Sequence, residues 1–301
     1  MSVFGGLVQA TITSATPLLL AALGENVVQK SGVVNVGVEG MLLCGAFAAT
    51  LGTLYPHDLH GMALNNPYLG LLAGAGAGTA LAALFGLFAI RGNANQVVLG
   101  VVINLLALGL TGTLYRKLFG ETGSFVQTAS LPSLPWLGNT TLLTLIALGA
   151  VPLVWWWLNC TRSGLEIRAC GEQPVAAEAA GIRVERLRAA VLLFGGGMAG
   201  LAGAFLSIGD GNTFIPEMSA GRGFIALAIV TAGRWNPLGC LLAALVFGTA
   251  ESIQYLGQAL DLKLPYQLFL ALPYVATLLI LARGSRRNDA PAALGRPYRR
   301  A

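Results

Sequence analysis

Five polar side chains lie within otherwise apolar stretches of the sequence. Through these groups the protein could bind a solute or an ion. Asn35 and Glu39 are four residues apart in GVVNVGVEGMLLCGAF, a spacing that places both on one face of a helix. Gln96 and Asn104 lie on a polar stripe of a Leu- and Val-rich run, and Glu251 lies in a later apolar run. We predict that these side chains line a path through a helical bundle. The alternative is that each only forms a hydrogen bond between helices.

The sequence lacks the motifs of common hydrolytic and metal-dependent enzymes. It contains no HExxH and no GxSxG, and its two histidines, His57 and His60, share a short polar connector with Asp58. The four cysteines have no paired spacing, which predicts small buried side chains rather than metal ligands. We therefore expect a protein that is not an enzyme and that binds no metal and no cofactor of its own.

The composition indicates where these polar groups must lie. Of the 301 residues, 55% are hydrophobic and 10% are charged, and the mean hydropathy is +0.71. Soluble proteins carry about 25% charged residues. The chain is therefore expected to be all-α, a polytopic transmembrane helical bundle, because about 20 apolar residues in a helix cross the hydrocarbon core. About nine spans (eight to ten) are predicted, at 2–24, 32–54, 68–90, 97–119, 141–158, 189–208, 213–233, 238–256 and 264–282.

The seventh predicted span differs from the others because its apolar part is short. Only Phe224 to Ala232 is continuously apolar, and Pro216 and Glu217 precede it, so a half-helix or re-entrant segment is the alternative. On the third and sixth spans, regularly spaced glycines predict faces at which helices pack closely. These glycines are Gly70, Gly74, Gly78, Gly196, Gly200 and Gly203.

Lysine and arginine are distributed unevenly between the two sides of the predicted bundle. With the C-terminus inside, fourteen of the eighteen basic residues lie on the cytoplasmic side, where an excess of Lys and Arg is usual. The outer four are Arg116, Lys117, Arg222 and Lys263. We predict one transmembrane domain, residues 1–283, followed by a basic, disordered cytoplasmic tail, residues 284–301.

The segment 159–188, NCTRSGLEIRACGEQPVAAEAAGIRVERLR, is polar and highly charged, unlike the rest of the chain. Pro174 suits the first turn of a helix and Gly181 suits its end, so VAAEAA predicts a short helix outside the bilayer. Such a helix could dock into a groove of a cytoplasmic partner. The alternative is a helix that anchors the loop at the membrane surface.

Three stretches together resemble bacterial ABC importer permeases of the ribose and branched-chain amino acid type, and more narrowly their nucleoside and simple-sugar branch. They are GVVNVGVEGMLLCGAF, TRSGLEIRACGEQPVAAEAAGI and GFIALAIVTAGRWNPLGCLLAALVFGTAE, and they occur in this order over nearly the whole chain. The phrase ATPLLLAALGENVVQKSGVVNVGVEG and the short length look more like the smaller of the two permeases that pair in nucleoside importers.

The resemblance implies a non-catalytic subunit of the bacterial cytoplasmic membrane that receives solute from an extracytoplasmic binding protein and couples to a cytoplasmic ATP-binding subunit. The coupling element would comprise Gly171, Glu172, Pro174, Ala177, Glu178 and Gly181. An independent observation agrees with a separate ATP-binding subunit. Lys30, Lys117 and Lys263 are the only lysines and none follows a glycine, so the chain lacks the Gly-Lys pair of a P-loop.

The resemblance favours nucleosides as the imported solute, with simple sugars and branched-chain amino acids as alternatives. A second permease is expected to be a different chain, which gives a heterodimer, and no nucleic-acid partner is expected. A rival from another class is a stand-alone, ion-coupled secondary transporter that uses Glu39 or Glu251 as a proton or cation site.

Overall fold

Ten α-helices make up most of the part of the chain that the computed structural model describes, which comprises residues 3–54, 66–120, 128, 130–134, 140–259, 275 and 289–298. Two short antiparallel strands, β1 (Ser133–Leu134) and β2 (Thr140–Thr141), also pair there. The helices are α1 (Val3–Lys30), α2 (Val38–Leu54), α3 (Pro67–Gly86), α4 (Gln96–Phe119), α5 (Leu142–Cys160), α6 (Arg162–Glu172), α7 (Pro174–Ala179), α8 (Val184–Ala204), α9 (Arg222–Ala232) and α10 (Pro237–Ala259). Helices α3 and α8 each continue into a π-helical turn, at Leu87–Arg91 and Phe205–Asp210.

Local sequence explains why several of these helices begin where they do. The Asn95 side chain accepts hydrogen bonds from the N–H groups of Val97 and Val98 at the start of α4. Thr141 and Thr161 cap α5 and α6 in the same way. Short polar side chains at this position satisfy backbone N–H groups that have no partner within the helix.

Six of the described helices, α1, α3, α4, α5, α8 and α10, are long and apolar enough to cross a membrane. Two further apolar helices are shorter, α2 with 17 residues and α9 with 11. At 1.5 Å per residue, α9 is only about 16 Å long, roughly half of a 30 Å bilayer core. The first eight predicted spans thus correspond to six long and two shorter helices. The ninth, 264–282, and the connector with His57 and His60 lie outside the described residues.

Glycine faces bring α2, α3 and α8 into close contact at the centre of the bundle. A Cβ atom on Gly78 would clash with the carbonyl of Gly196, and one on Gly200 would clash with the carbonyl of Gly74. Each of the six glycines of the predicted faces meets a neighbouring helix in this way. The predicted packing role of these faces is confirmed, and it follows the use of small residues where helices approach closely in membranes.

The second predicted span begins later than its hydropathy indicates. Helix α1 continues to Lys30, beyond the predicted end at residue 24, and the chain is then irregular until α2 begins at Val38. Gly32 has a φ of +90°, a left-handed backbone that a side chain would strain. Asn35 therefore lies in a break between two helices. The prediction that Asn35 and Glu39 share one face of a helix is wrong.

The seventh predicted span contains a helix only in its second half. Residues 213–221 form a bridge and turns, and α9 begins after Gly221, whose φ is +82°. The sequence alternative of a half-helix agrees with this short α9. Its first turn lies inside the bundle, against the first turn of α2, because a Cβ on Gly223 would clash with Glu39.

The charged segment 159–188 is more helical than predicted, and the described part of the tail is not detached from it. Helix α5 extends to Cys160, α6 and α7 follow, and α8 begins at Val184. Residues 289–298 lie against this segment through the contacts given below. The expected disorder is therefore wrong for these residues. The sequence could not indicate this packing, because its partners are far away along the chain.

Candidate functional site

The break between α1 and α2 is held in place by two side chains of α4. The Val34 N–H donates to Gln96 Oε1 (2.7 Å), and the Gly40 N–H donates to Asn104 Oδ1 (2.8 Å). The Asn104 amide nitrogen donates to the Val36 carbonyl (3.0 Å). Because backbone groups in an irregular buried segment lack helical partners, they need such side chains. Gln96 and Asn104 thus hold the backbone of the break and of the first turn of α2 through hydrogen bonds.

Glu25, a buried carboxylate on α1 that was not predicted as a site residue, also binds the backbone of this break. Glu25 Oε1 accepts hydrogen bonds from the Asn35 N–H (3.1 Å) and from the Gln29 amide (3.2 Å). Asn35 is fully buried, and its amide donates to the Met41 sulfur (3.3 Å). Because the first span is predicted to end at residue 24, Glu25 is expected to lie in a loop, whereas α1 continues to Lys30. The four-residue spacing of Glu25 and Gln29 was the available signal that both lie on one helix face.

Glu39 caps the first turn of α9 from a neighbouring helix. Its two carboxylate oxygens accept hydrogen bonds from the N–H groups of Gly221 (2.9 Å) and Gly223 (2.6 Å). The N-terminus of a helix carries N–H groups without helical partners and a partial positive charge, and both favour a carboxylate. Glu39 therefore joins the first turns of α2 and α9.

Glu251 forms a mostly buried ion pair with Arg222, the first residue of α9. The Arg222 guanidinium also donates to the Met218 carbonyl (3.1 Å). From the sequence, Arg222 is predicted only as one of the four basic residues on the outer side of the membrane. The structure thus brings Glu39 and Glu251 to the same turn of α9, while Asn35 lies in the adjacent break between α1 and α2.

The described residues contain no group of three His, Cys, Asp or Glu side chains that could hold a metal ion. Within the described ranges, Cys44, Cys170 and Cys240 are buried as predicted and Cys160 is exposed, and all four are free thiols.

The short helix predicted on the charged segment is present as α7, with Pro174 in its first turn. The chain leaves the helix just before Gly181, whose φ is +88°. One face of α7 is buried, because Ala177 packs with Cys170 and Val184 in a small apolar cluster. These contacts fix α7 against α6 and the start of α8.

The described part of the tail, residues 289–298, also binds the charged segment 159–188. The Ala293 N–H donates to the Gly171 carbonyl (2.8 Å), and the Tyr298 hydroxyl is hydrogen-bonded to Glu178. The Gly295 N–H donates to the carbonyl of residue 32 in the break (3.0 Å). The tail therefore links the charged segment to the junction of α1 and α2.

Arg188, on the first turns of α8, connects the charged segment, the tail and the junction of α1 and α2. It is only 3% exposed. Its guanidinium donates to the carbonyls of Ser31 (3.0 Å), Cys170 (3.4 Å) and Arg296 (3.4 Å), and it lies over the Tyr298 ring, 5.9 Å from the ring centre. A planar guanidinium with five donors suits such a junction of carbonyl groups.

The outer face of the charged segment exposes two large apolar side chains. Leu165 on α6 is 59% exposed and Val175 on α7 is 67% exposed. Around them the surface is charged, with an ion pair between Arg162 and Glu166 (3.4 Å). Apolar side chains on a firmly held, otherwise polar segment are available to a partner.

The fold combines long apolar helices with two shorter helices, α2 and α9, that meet inside the bundle, and with a charged helical segment at one end. These features are those of a polytopic membrane transport subunit. The chain belongs to the family described as the permease component of the branched-chain amino acid transport system, which matches residues 7–281. It is therefore an ABC transporter permease, a multi-pass membrane protein and a transport component rather than an enzyme.

Three relatives extend the comparison, two of them over nearly the whole chain. The guanosine ABC transporter permease NupQ of Bacillus subtilis is 36% identical over 97% of this chain and 96% of its own length. The putative glucose ABC transporter permease TsgC13 of Haloferax volcanii is 34% identical, over 100% of this chain and 99% of its own. A second guanosine permease of Bacillus subtilis, NupP, is 31% identical over 79% of this chain and 70% of its own length. No solved structure matches the chain.

Proposed function

We propose that this permease carries nucleosides into the cell as one subunit of an ATP-driven importer. The observation that carries the proposal is the 36% identity with a guanosine permease over almost the full length of both chains. A nucleoside has a neutral polar sugar and a flat base, so neutral polar groups and backbone can guide it without an opposite charge.

The ATP that drives import binds to a separate cytoplasmic subunit. This chain lacks the Gly-Lys pair of a P-loop. The ATP-binding subunit docks on the exposed face of α6 and α7, where Leu165 and Val175 project from a charged surface. Helix α7 is connected to the break between α1 and α2 through Arg188 and the tail. A movement of α7 is therefore transmitted to the first turns of α2 and α9, which Glu39 joins.

The end of the bundle that carries α6 and α7 faces the cytoplasm. The support is the distribution of basic residues, most of which lie at this end when the C-terminus is inside. The described tail residues also lie against α6 and α7, so the tail and the segment share one side. An extracytoplasmic substrate-binding protein delivers the solute to the opposite side.

A second, different permease completes the membrane part. Both NupQ and NupP are named as guanosine permeases of one bacterium, and both are similar to this chain. The chain covers 96% of NupQ but 70% of NupP, so it corresponds in size to NupQ. This supports a heterodimer in which the present chain is the shorter member.

Of the five polar residues, we assign the solute path to the pair nearest to α9. Glu39 and Glu251 meet at the first turn of this half-helix through its backbone and Arg222. Helix N-termini of this kind, inside a bundle, adjoin substrate sites in other transporters. Gln96 and Asn104 bind the backbone of the break and of the start of α2, and Asn35 lies within the break.

The test is uptake by cells that lack other nucleoside transporters and express this chain with its co-purifying subunits. Labelled guanosine, uridine, glucose and leucine are supplied separately. We expect accumulation of the nucleosides, and we expect loss of accumulation when the P-loop lysine of the ATP-binding subunit is replaced by alanine.

Two other results would replace the proposal with a specific alternative. Accumulation of glucose without guanosine would assign the sugar function that the name of TsgC13 suggests. Accumulation that survives the lysine replacement but stops when the proton gradient is collapsed would assign an ion-coupled transporter.

A further inference from the structure

A polar cavity of about 470 Å³ lies at the end of the bundle that carries α6 and α7. Its volume falls within the range of small-molecule sites, roughly 300–1,000 Å³. The ends of α1 and α5, the helix α6, the turn between α9 and α10 and the tail enclose it. The residues that matter for its chemistry are Lys30, Trp155, Arg168, Glu172, Arg234 and Asp289.

The cavity lies at the level where the membrane meets water. Lys30 is the last residue of α1, and Asn159 is next to the last residue of α5. Trp155 and Trp156, one turn before the end of α5, are both exposed. Exposed tryptophans are typical of the level of the lipid headgroups.

Two of the three cations in the cavity make no ion pair among the described residues. Asp289 is already paired with Arg234, and Glu172 Oε2 accepts a hydrogen bond from the Ala292 N–H (3.3 Å). Glu172 and Asp289 attract Lys30 only at longer range, and Arg168 repels it. The Arg168 Nε atom is buried and has no hydrogen-bond partner. The cavity therefore offers positive charge and an unused buried donor to an anion.

An apolar groove continues from this polar cavity along the outer face of α10. It has a volume of about 630 Å³ and shares Arg234, Asn236 and Asp289 with the cavity. Beyond them it is lined by Leu238, Leu242 and other apolar side chains, and Leu242 is 66% exposed. A polar, cationic end joined to an apolar groove matches the two parts of a phospholipid.

We propose that this cavity binds the phosphate of an anionic phospholipid, with Lys30 and Arg168 as its main contacts and an acyl chain in the groove along α10. The shared chemistry is a phosphate ester, which a soluble phosphate also offers. The continuity of the cavity with the apolar groove favours the lipid. Bound there, the lipid joins α1, α6 and the turn before α10, which belong to separate parts of the chain. The inference does not depend on which solute is carried.

Native mass spectrometry of the purified, delipidated chain tests this site. The probes are dioleoyl phosphatidylglycerol, dioleoyl phosphatidylcholine with the same acyl chains, and glycerol phosphate without them. We expect tight binding of one phosphatidylglycerol. In the double variant Lys30→Gln, Arg168→Gln, we expect its affinity to fall about 25-fold, since each basic side chain near anionic lipid contributes roughly fivefold.

Matched variants separate a lost site from a lost fold. Arg183→Gln with Arg186→Gln removes the same charge from exposed positions outside the cavity, and it should bind phosphatidylglycerol as the wild type does. Lys30→Arg with Arg168→Lys keeps both charges and should also retain binding. Equal binding of phosphatidylglycerol by the Lys30→Gln, Arg168→Gln variant and the wild type would overturn the site. If glycerol phosphate binds as tightly as phosphatidylglycerol, the site recognises the phosphate ester alone, and the proposal that its ligand is a lipid is wrong.

Discussion

Glu39 shows how one half-buried carboxylate can stabilise the junction of two helices. The residue begins one helix and satisfies the free N–H groups of another, at Gly221 and Gly223. The sequence identified Glu39 as a costly group that must have a partner. It could not identify the partner, because the two glycines lie more than 180 residues further along the chain.

Replacing Glu39 distinguishes its capping role from ion coupling. In Glu39→Ala the two N–H groups lose their acceptors, and we expect a loss of stability of roughly 2 kcal/mol or more. Glu39→Gln keeps one acceptor oxygen but replaces the other with an NH2 group, so one of the two N–H groups loses its acceptor and we expect a smaller loss, of about 1 kcal/mol. Thermal unfolding in detergent measures both, and Glu185→Gln, on an exposed part of α8, is the control.

The same variants are then tested for transport. ATP-dependent guanosine uptake should survive in Glu39→Gln, because Gln retains one of the two capping hydrogen bonds and a cap needs no titrating group. If uptake stops in Glu39→Gln while the unfolding temperature is unchanged, the carboxylate takes part in transport itself and the secondary-transporter hypothesis gains support.

At the scale of helices, the glycine faces were predictable, whereas the partners that hold the break were not. Regular spacing along one helix is a local property, and Gly70, Gly74 and Gly78 meet α8 or α2 as that spacing predicts. The break at residues 31–37 depends instead on Gln96 and Asn104, which are 62 to 68 residues away. Hydropathy alone assigned most of this irregular segment to a span.

The glycine contact between α3 and α8 predicts unequal effects of two neighbouring substitutions. A Cβ at Gly78 would clash with the backbone of α8, whereas a Cβ at Gly76 meets nothing within 4 Å. We expect Gly78→Val to reduce the yield of folded protein severely, because backbone cannot move aside as a side chain can, and overpacking costs roughly 1–3 kcal/mol or more. Gly76→Val should fold like the wild type. Size-exclusion chromatography of both variants gives the comparison, and equal yields would contradict the packing described.

The tail and the charged segment form one unit, and the thiol of Cys170 reports on it. Burial raises the pKa of the Cys170 thiol to about 11, so at pH 7.5 nearly all of it is protonated and unreactive. Deleting residues 289–301 removes Tyr298 from the cluster around Cys170. We expect the pKa to fall toward its ordinary value and maleimide labelling at pH 7.5 to become faster, on the order of tenfold.

Cys160 is exposed and serves as the internal control for that experiment. Its labelling rate should be the same in the full chain and in the truncated one. If Cys170 in the full chain is labelled as fast as Cys160, or if truncation leaves its rate unchanged, the tail does not cover this cluster.

For the whole molecule, the sequence was sufficient for class and family but not for the contacts between distant segments. Composition and three motifs predicted a helical membrane permease, and the family match over residues 7–281 confirms it. The position of α7 between Pro174 and Gly181 was also predictable, since helix starts and ends depend on nearby residues. Glu25, Arg188 and the docked tail were not, because each acquires its role from partners that only the fold brings near.

We propose that an ATP-binding subunit docks on α6 and α7, and this docking can be tested by co-purification. The tagged chain is isolated from its native membrane in mild detergent and its partners are identified by mass spectrometry. We expect a P-loop ATPase and a second permease. The ATPase should be lost in Val175→Glu, which changes an exposed side chain of α7.

The control is Ile215→Glu, an equally drastic change at an exposed position before α9, which should retain the ATPase. Both variants should keep the second permease, which shows that the membrane part has folded. If the chain is isolated alone and transports solute in liposomes without ATP, then no ATP-binding subunit drives this permease.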